Sequence, residues 1–180
     1  MKVLIVIDYQ NDFVADDGKL TCGKMAQDIE KHLVERVNKV LDERGFIYFT
    51  KDTHFNEDWK IRPESKLFPI HCVFGTLGHE IYGNLSNICS SHEGIRKTSY
   101  AMPHEWVEFF VEGFEEIELA GVATNVCVLQ NAIALYNASV EAGTSTKFSI
   151  DPLACASFDI DEHAHAIEYM ENILGFEVIN

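Results

Sequence analysis

Basic residues are scarce in this chain: 14 Lys and Arg stand against 29 Asp and Glu, a formal charge of −15. A surface of that sign repels phosphate backbones and anionic lipid headgroups, so neither nucleic acid nor a membrane is an expected partner. A neutral or weakly basic small molecule approaches it without electrostatic penalty. Cysteines are few and unpaired in pattern: Cys22, Cys72, Cys89, Cys127 and Cys155 are an odd set without a CxxC. That argues against a disulfide-stapled secreted domain and for a reducing, cytoplasmic compartment. Long apolar runs are missing too. Residues 3–7 (VLIVI) meet Asp8 at once, far short of a signal-peptide core or a membrane span. Repeats, low-complexity tracts and linker-like shifts in composition are also absent, so residues 1–180 are read as one domain.

What the chain does have is 47% apolar residues over its 180 positions, enough to bury a core rather than remain disordered. KVLIVID predicts a strand buried on both faces, since its apolar positions are continuous rather than alternating. Over residues 25–44, Ile29, Leu33, Val37, Val40 and Leu41 recur at helical spacing, and Gly45 supplies the stop. FIYFT at 46–50 predicts the next strand, which makes a right-handed βαβ unit. The alternation resumes with a strand over 115–121, a helix over 125–138, a strand over 146–150, a helix over 161–174 and a strand over 176–179. Residues 51–96 are rich in His, Asp, Trp and Gly but poor in periodicity, and are read as long functional loops. The expected fold is a doubly wound, mostly parallel α/β sheet, with ligands beyond the carboxyl ends of its strands. The segment SVEAGTSTKFSI at 139–150 fits least, being too polar for a central buried strand.

Chemistry-bearing side chains fall at these strand ends: Asp8 after the first, Asp52 after the second, Lys97 after IR, and Cys127 after the GVATN turn. A crevice that gathers a carboxylate, an amine and a thiol supplies what thiol nucleophilic catalysis requires. An ordinary thiol of pKa about 8.5 is mostly protonated at neutral pH, but a helix N-terminus and the Lys97 ammonium both favour the thiolate. Asp8 then takes the thiol proton and returns it to a leaving amine, while Lys97 holds the ion network. The turn at 121–127 directs successive N–H groups into one concavity, which makes the Ala123 and Cys127 amides candidate oxyanion donors. Taken singly, Cys127 is a core thiol, Asp8 a loop cap and Lys97 a surface charge. The constellation carries the catalytic reading.

IVIDYQNDF, Lys97 and GVATNVCVLQNA together resemble the isochorismatase-like cysteine hydrolase superfamily, over essentially the whole chain through DPLACAS at 151–157. The resemblance implies a three-layer α/β/α fold, a covalent thioester on Cys127 and a cis peptide between Val122 and Ala123. Asp52-x-His54, followed by LFPIHCVFGTLGHE with His71, resembles the nicotinamidase branch, whose metal site uses an Asp-x-His pair and a downstream His. Glu64 matches the position of an extra ligand in some members. The implied cofactor is one divalent transition metal on Asp52, His54, Glu64 and His71: zinc first, with manganese or iron also suited to such a donor set. Phe13, Leu20, Phe68 and Tyr100 match positions that wall an aromatic-ring pocket in that branch. His163 and His165 are expected to face solvent, His79, His92 and His104 to lack partners, and Cys72 to be core. The implied activity is hydrolysis of nicotinamide to nicotinate and ammonia in NAD salvage. Two rivals stand beside it: a metal-free amidase of the superfamily acting on a carbamoyl, ureido or different aromatic amide, and a catalytically silent α/β binding module. Homo-oligomerisation is left open, and AMPHEW after Tyr100 departs from the pattern in a place able to reshape the pocket.

Overall fold

A computed structural model describes residues 1–90, 92 and 94–179. The elements are β1 (Lys2–Ile7), α1 (Asn11–Val14), α2 (Lys24–Asp28), α3 (Glu30–Asp42), β2 (Phe46–Asp52), α4 (Leu85–Cys89), β3 (Gly94–Lys97), α5 (His104–Gly113), β4 (Glu116–Val122), α6 (Leu129–Ala142), β5 (Lys147–Ala156), α7 (Ile160–Asn172) and β6 (Glu177–Val178). Every strand pairing is parallel, in the order β3-β2-β1-β4-β5-β6. The chain builds outward from β1 in one direction, then returns to β1 with β4 and builds in the other. In an open sheet that switch point is where a crevice forms beyond the strand ends.

The continuous apolar run of β1 follows from burial on both faces. Val3, Ile5 and Ile7 join Val107 and Phe110 of α5 and Leu135 of α6, while Leu4 and Val6 join Leu33, Val37 and Val40 of α3. Alternate side chains thus seed two separate cores, and the result is the three-layer α/β/α arrangement.

Three local differences from the sequence-based expectation have physical causes. The single helix expected over 25–44 is two, α2 and α3. The Tyr9 hydroxyl donates to the Ala26 carbonyl (2.6 Å), the acceptor that the Glu30 amide would use in an unbroken helix. The polar stretch at 139–146 completes α6 and its turn at Gly143, and the strand proper runs from Lys147 to Ala156. Its first residues alternate, with Lys147 and Ser149 toward the outer face and Phe148 and Ile150 buried, so the polar positions fall on the solvated face of the strand. Helix α5, absent from the expected pattern, buries Val107, Phe110 and Val111 at helical spacing.

Close approach of β4 to β1 depends on Gly121, which has φ +116°, and a Cβ there would lie 2.1 Å from the Ile7 carbonyl oxygen. Beside it on β4, Glu118 is fully buried and paired with the Arg36 guanidinium (Nη2 at 2.7 Å) and Lys2 Nζ (3.1 Å). Arg36→Met leaves that buried carboxylate with Lys2 alone. Denaturant unfolding is expected to show a loss of about 3 kcal/mol at unchanged m-value. A loss within about 0.5 kcal/mol, the range of ordinary surface changes, counts against the pair as a structural tie.

Candidate active site

The switch point gathers the residues that sequence reasoning singled out. Asp8 ends β1 with φ +46°, a left-handed conformation that turns its carboxylate across the sheet edge. Thr50 on β2 fixes it, donating from Oγ1 to Asp8 Oδ1 (2.6 Å) and accepting from the Asp8 amide (3.1 Å). Lys97, at the end of β3, places Nζ 2.6 Å from Asp8 Oδ2, 3.6 Å from Cys127 Sγ and 3.6 Å from Asp52 Oδ1. Cys127 lies in a π-helical turn, Thr124–Val128, that enters α6 directly after β4. Asp8 and Lys97 are almost wholly buried and Cys127 is 5% exposed. The Val122–Ala123 peptide is cis.

Burial decides the protonation of this trio. It pushes the Cys127 thiol well above its ordinary pKa; Lys97 pulls it down, but Asp8 and Asp52 push it back up. Asp8 is also raised, by burial first, with Lys97 opposing. Lys97 rises despite its burial, because Asp8, Cys127 and Asp52 surround its ammonium. The sequence stressed the ammonium, which favours the thiolate; burial acts in the opposite direction. Burial comes first, and with the Asp8 and Asp52 carboxylates it holds the thiol up against the pull of the Lys97 ammonium.

A second constellation adjoins the first through Asp52. Its Oδ2 lies 2.9 Å from His54 Nε2 and 3.2 Å from His71 Nε2, and Glu64 reaches the same nitrogens at 3.7 and 3.6 Å. Among the described residues, Asp52, His54, Glu64 and His71 form the set whose ligand atoms all lie within 4.8 Å of one another. Burial opposes the charge on Asp52, but the Lys97 ammonium and the neighbouring His54 hold its carboxyl well below the usual range. His71 Nδ1–H donates to the Pro69 carbonyl (2.9 Å), which leaves Nε2 as the free lone pair. His54 and the residues after His71 are brought side by side by a short parallel bridge between His54 and Val73. Trp59 covers both imidazoles, with ring centroids at 4.7 Å from His54 and 5.5 Å from His71. Two imidazoles and two carboxylates, converging with a preset tautomer and a dry cover, fit a divalent transition metal.

Between the two constellations lies a cavity with about 320 Å³ of open space, its mouth included. Phe13, Leu20, Phe68 and Tyr100 all line it, together with Asp52, Glu64, His71, Ala123, Val126, Cys127 and Phe158. The larger hollow between Asn11 and Gly78 is lined by no thiol and no imidazole.

Sequence reasoning missed the supports. Gln10 is fully buried and holds Asp52 by both backbone groups, donating to its carbonyl (2.9 Å) and accepting from its amide (2.7 Å). Its position in IVIDYQNDF, a polar residue just past a buried strand, was the available signal. Asp12 accepts from the Cys72 amide (2.7 Å) and the Lys19 amide (3.1 Å), so one carboxylate ties the chain next to His71 to the chain next to Leu20. His163 does not face solvent as expected. It is half-buried and bonds Thr124 Oγ1 (2.8 Å), because the start of α7 packs onto the π-helical turn. His79, His92 and His104 have partners too: Thr53 Oγ1 at 3.0 Å, the Ile88 carbonyl at 2.8 Å and Glu108 Oε1 at 3.2 Å. His165 is exposed and Cys72 buried, as expected.

The family model for the Isochorismatase domain matches residues 2–179. The chain belongs to the isochorismatase family. Within that family it is 34% identical over 186 residues to the isochorismatase family protein PncA of Bacillus subtilis (strain 168), with 98% of each chain covered. The crystal structure of pyrazinamidase/nicotinamidase from Streptococcus mutans UA159 superposes with a TM-score of 0.89 at 36% identity, covering 99% of this isochorismatase-family chain and 100% of the other. The fold is shared further with a Pyrococcus horikoshii pyrazinamidase solved in complex with zinc, at TM-score 0.79 and 23% identity over 99% and 98% of the two chains.

Proposed function

We propose that this isochorismatase-family hydrolase is a nicotinamidase, converting nicotinamide to nicotinate and ammonia. The observation that carries the reading is the adjacency of a buried Asp8–Lys97–Cys127 trio and a four-donor cluster across one aromatic-lined cavity. The S. mutans pyrazinamidase/nicotinamidase, similar over the whole chain, supports it.

The chemistry follows from the proton inventory. As the Cys127 sulfur attacks the amide carbon, its proton passes to Asp8, and the carbonyl oxygen becomes an oxyanion facing the Ala123 and Cys127 amides. Asp8 hands the proton to the nitrogen, the C–N bond breaks, and ammonia leaves a thioester on Cys127. Water then attacks the thioester while Asp8 accepts its proton, and nicotinate departs as the thiol is restored. Lys97 stays charged throughout and keeps Asp8 and sulfur in register. Phe13, Leu20, Phe68 and Tyr100 hold the flat ring. Asp52, His54, Glu64 and His71 would hold one divalent metal, zinc by preference, and that ion supplies a Lewis-acidic anchor for a ring nitrogen, directly or through water. The reading places the enzyme in NAD salvage, in the cytoplasm, without nucleic-acid or membrane partners.

Ammonia release from a panel of nicotinamide and non-aromatic amides, with and without chelator, tests this. Nicotinamide is expected to be the preferred substrate, about one metal ion is expected per chain, and chelation is expected to abolish turnover. Preference for a ureido or carbamoyl substrate, unaffected by chelator, would overturn the assignment.

A further inference from the structure

Residues 98–102 join β3 to α5 and carry Tyr100, a wall of the cavity, yet no strand or helix satisfies their backbone. Side chains do so instead. The Thr98 carbonyl accepts from Arg62 (2.8 Å), the Ser99 carbonyl from Lys97 Nζ (3.0 Å), the Tyr100 carbonyl from Asn131 Nδ2 (3.1 Å) and the Ala101 carbonyl from Ser99 Oγ (3.0 Å). The Met102 amide donates to Asn131 Oδ1 (2.8 Å). Asn131 is fully buried on α6, one turn past Cys127, and its Nδ2 also donates to the Cys127 carbonyl (2.8 Å).

Both amide hydrogens and the amide oxygen of Asn131 are thereby used, and each bond is to backbone. Around it Met102, Val128, Ala132 and Leu135 are apolar core, where an unbonded amide would be destabilising and a leucine would suffice for packing. Tyr100 itself is half-buried against the core, and its backbone carbonyl is held by Asn131. Its position is set through its backbone, and the backbone is held from the nucleophile's helix.

We propose that Asn131 is a specificity-determining positioning residue: it straps residues 100–102 to the helix of Cys127 and so sets the width of the slot between the Tyr100 wall and the sulfur. The inference rests on the nicotinamidase reading for its substrate, a flat aromatic amide that must fit that slot. Lys97 holds the neighbouring Ser99 carbonyl but is part of the catalytic trio. Asn131 is the tie that can be cut without touching the reacting groups.

Two substitutions separate the ties. Asn131→Ser keeps a hydroxyl able to bond the Cys127 carbonyl, the contact a helical serine makes to residue i−4, and gives up the bonds to Tyr100 and Met102. Asn131→Ala gives up all of them; should it fail to fold, the serine variant carries the test. In Asn131→Ser the Met102 amide is expected to exchange about 100-fold faster by hydrogen-exchange mass spectrometry. KM for nicotinamide is expected to rise about 10-fold with kcat within about threefold. Alkylation of Cys127 by iodoacetamide, too small to need the wall, is expected to be unchanged. Adding Tyr100→Ala is expected to raise KM no further, whereas Leu20→Ala, on a part of the wall that Asn131 does not hold, adds its own effect. Unchanged exchange at Met102 would overturn the strap, and unchanged KM with faster exchange would overturn its role in specificity. A parallel fall in kcat and alkylation would reduce Asn131 to a core residue. If the wild-type chain releases no ammonia from nicotinamide, the functional reading fails, and the exchange arm still decides whether the strap exists.

Discussion

Cys127→Ala is expected to abolish ammonia release from nicotinamide, by about 10⁴-fold or more, while the protein stays folded. Cys127 is the one thiol lining the cavity. Among the cavity-lining residues no other side chain is a thiol or hydroxyl nucleophile within reach of Lys97; Tyr100 is a wall, and burial raises its phenol. Loss of one sulfur from a nearly closed site costs roughly 1 kcal/mol of packing, little beside the stability of an ordinary domain. Circular dichroism and thermal melting are therefore expected to change slightly, and metal content not at all, since Cys127 is outside the four-donor set. Turnover above about 1% of wild type in a folded variant would remove the nucleophile assignment and the thioester with it.

Asp8→Asn separates the acid–base role from the electrostatic one, because the two have opposite signs at sulfur. Without the Asp8 carboxylate nothing accepts the thiol proton or delivers one to ammonia, so kcat is expected to fall about 10²–10⁴-fold. The same change takes a negative charge away from a thiol that Asp8 raises, and leaves Lys97 as its neighbour, still paired with Asp52 at 3.6 Å. The thiol pKa should drop. Iodoacetamide alkylation at neutral pH is then expected to be faster than in wild type while amide hydrolysis is slower. The variant also loses the first partner of a buried ammonium, so a destabilisation of about 3 kcal/mol is expected and the assays belong well below its melting point. If alkylation and hydrolysis fall together, Asp8 serves to charge the sulfur and the shared-proton account is wrong.

Coupling between the two constellations is built into Asp52. One oxygen faces Lys97 and the other faces the two imidazoles. Gln10 grips the same residue by its amide and carbonyl, so its carboxylate has little freedom to turn. Ring orientation and nucleophile placement are thus referred to one side chain, which suits a reaction in which the amide carbon must lie over a fixed sulfur.

Much of this was legible in the chain itself. Continuous apolar character in residues 3–7 and helical spacing at Leu33, Val37 and Val40 announce a sheet covered on both faces, because periodicity is a direct imprint of burial. The nucleophile, its acid–base partner, the ammonium and Asp52 were readable because each follows or closes a strand, the place where an α/β sheet delivers chemistry, whereas His54, Glu64 and His71 in the long loop were legible through the family resemblance. Tertiary structure decided what depends on distances between remote segments. It split the helix at Ala26 through a hydroxyl from Tyr9, 17 residues away. It pushed up the pKa of a thiol that the Lys97 ammonium alone would lower, since the burial and the two carboxylates that oppose that pull exist only after β1, β2, β3 and β4 meet. It also gave Gln10, Asp12, Asn131 and His163 their tasks. A polar side chain is neutral information in a sequence; only folding determines whether it is solvated or is the sole partner of a buried backbone group.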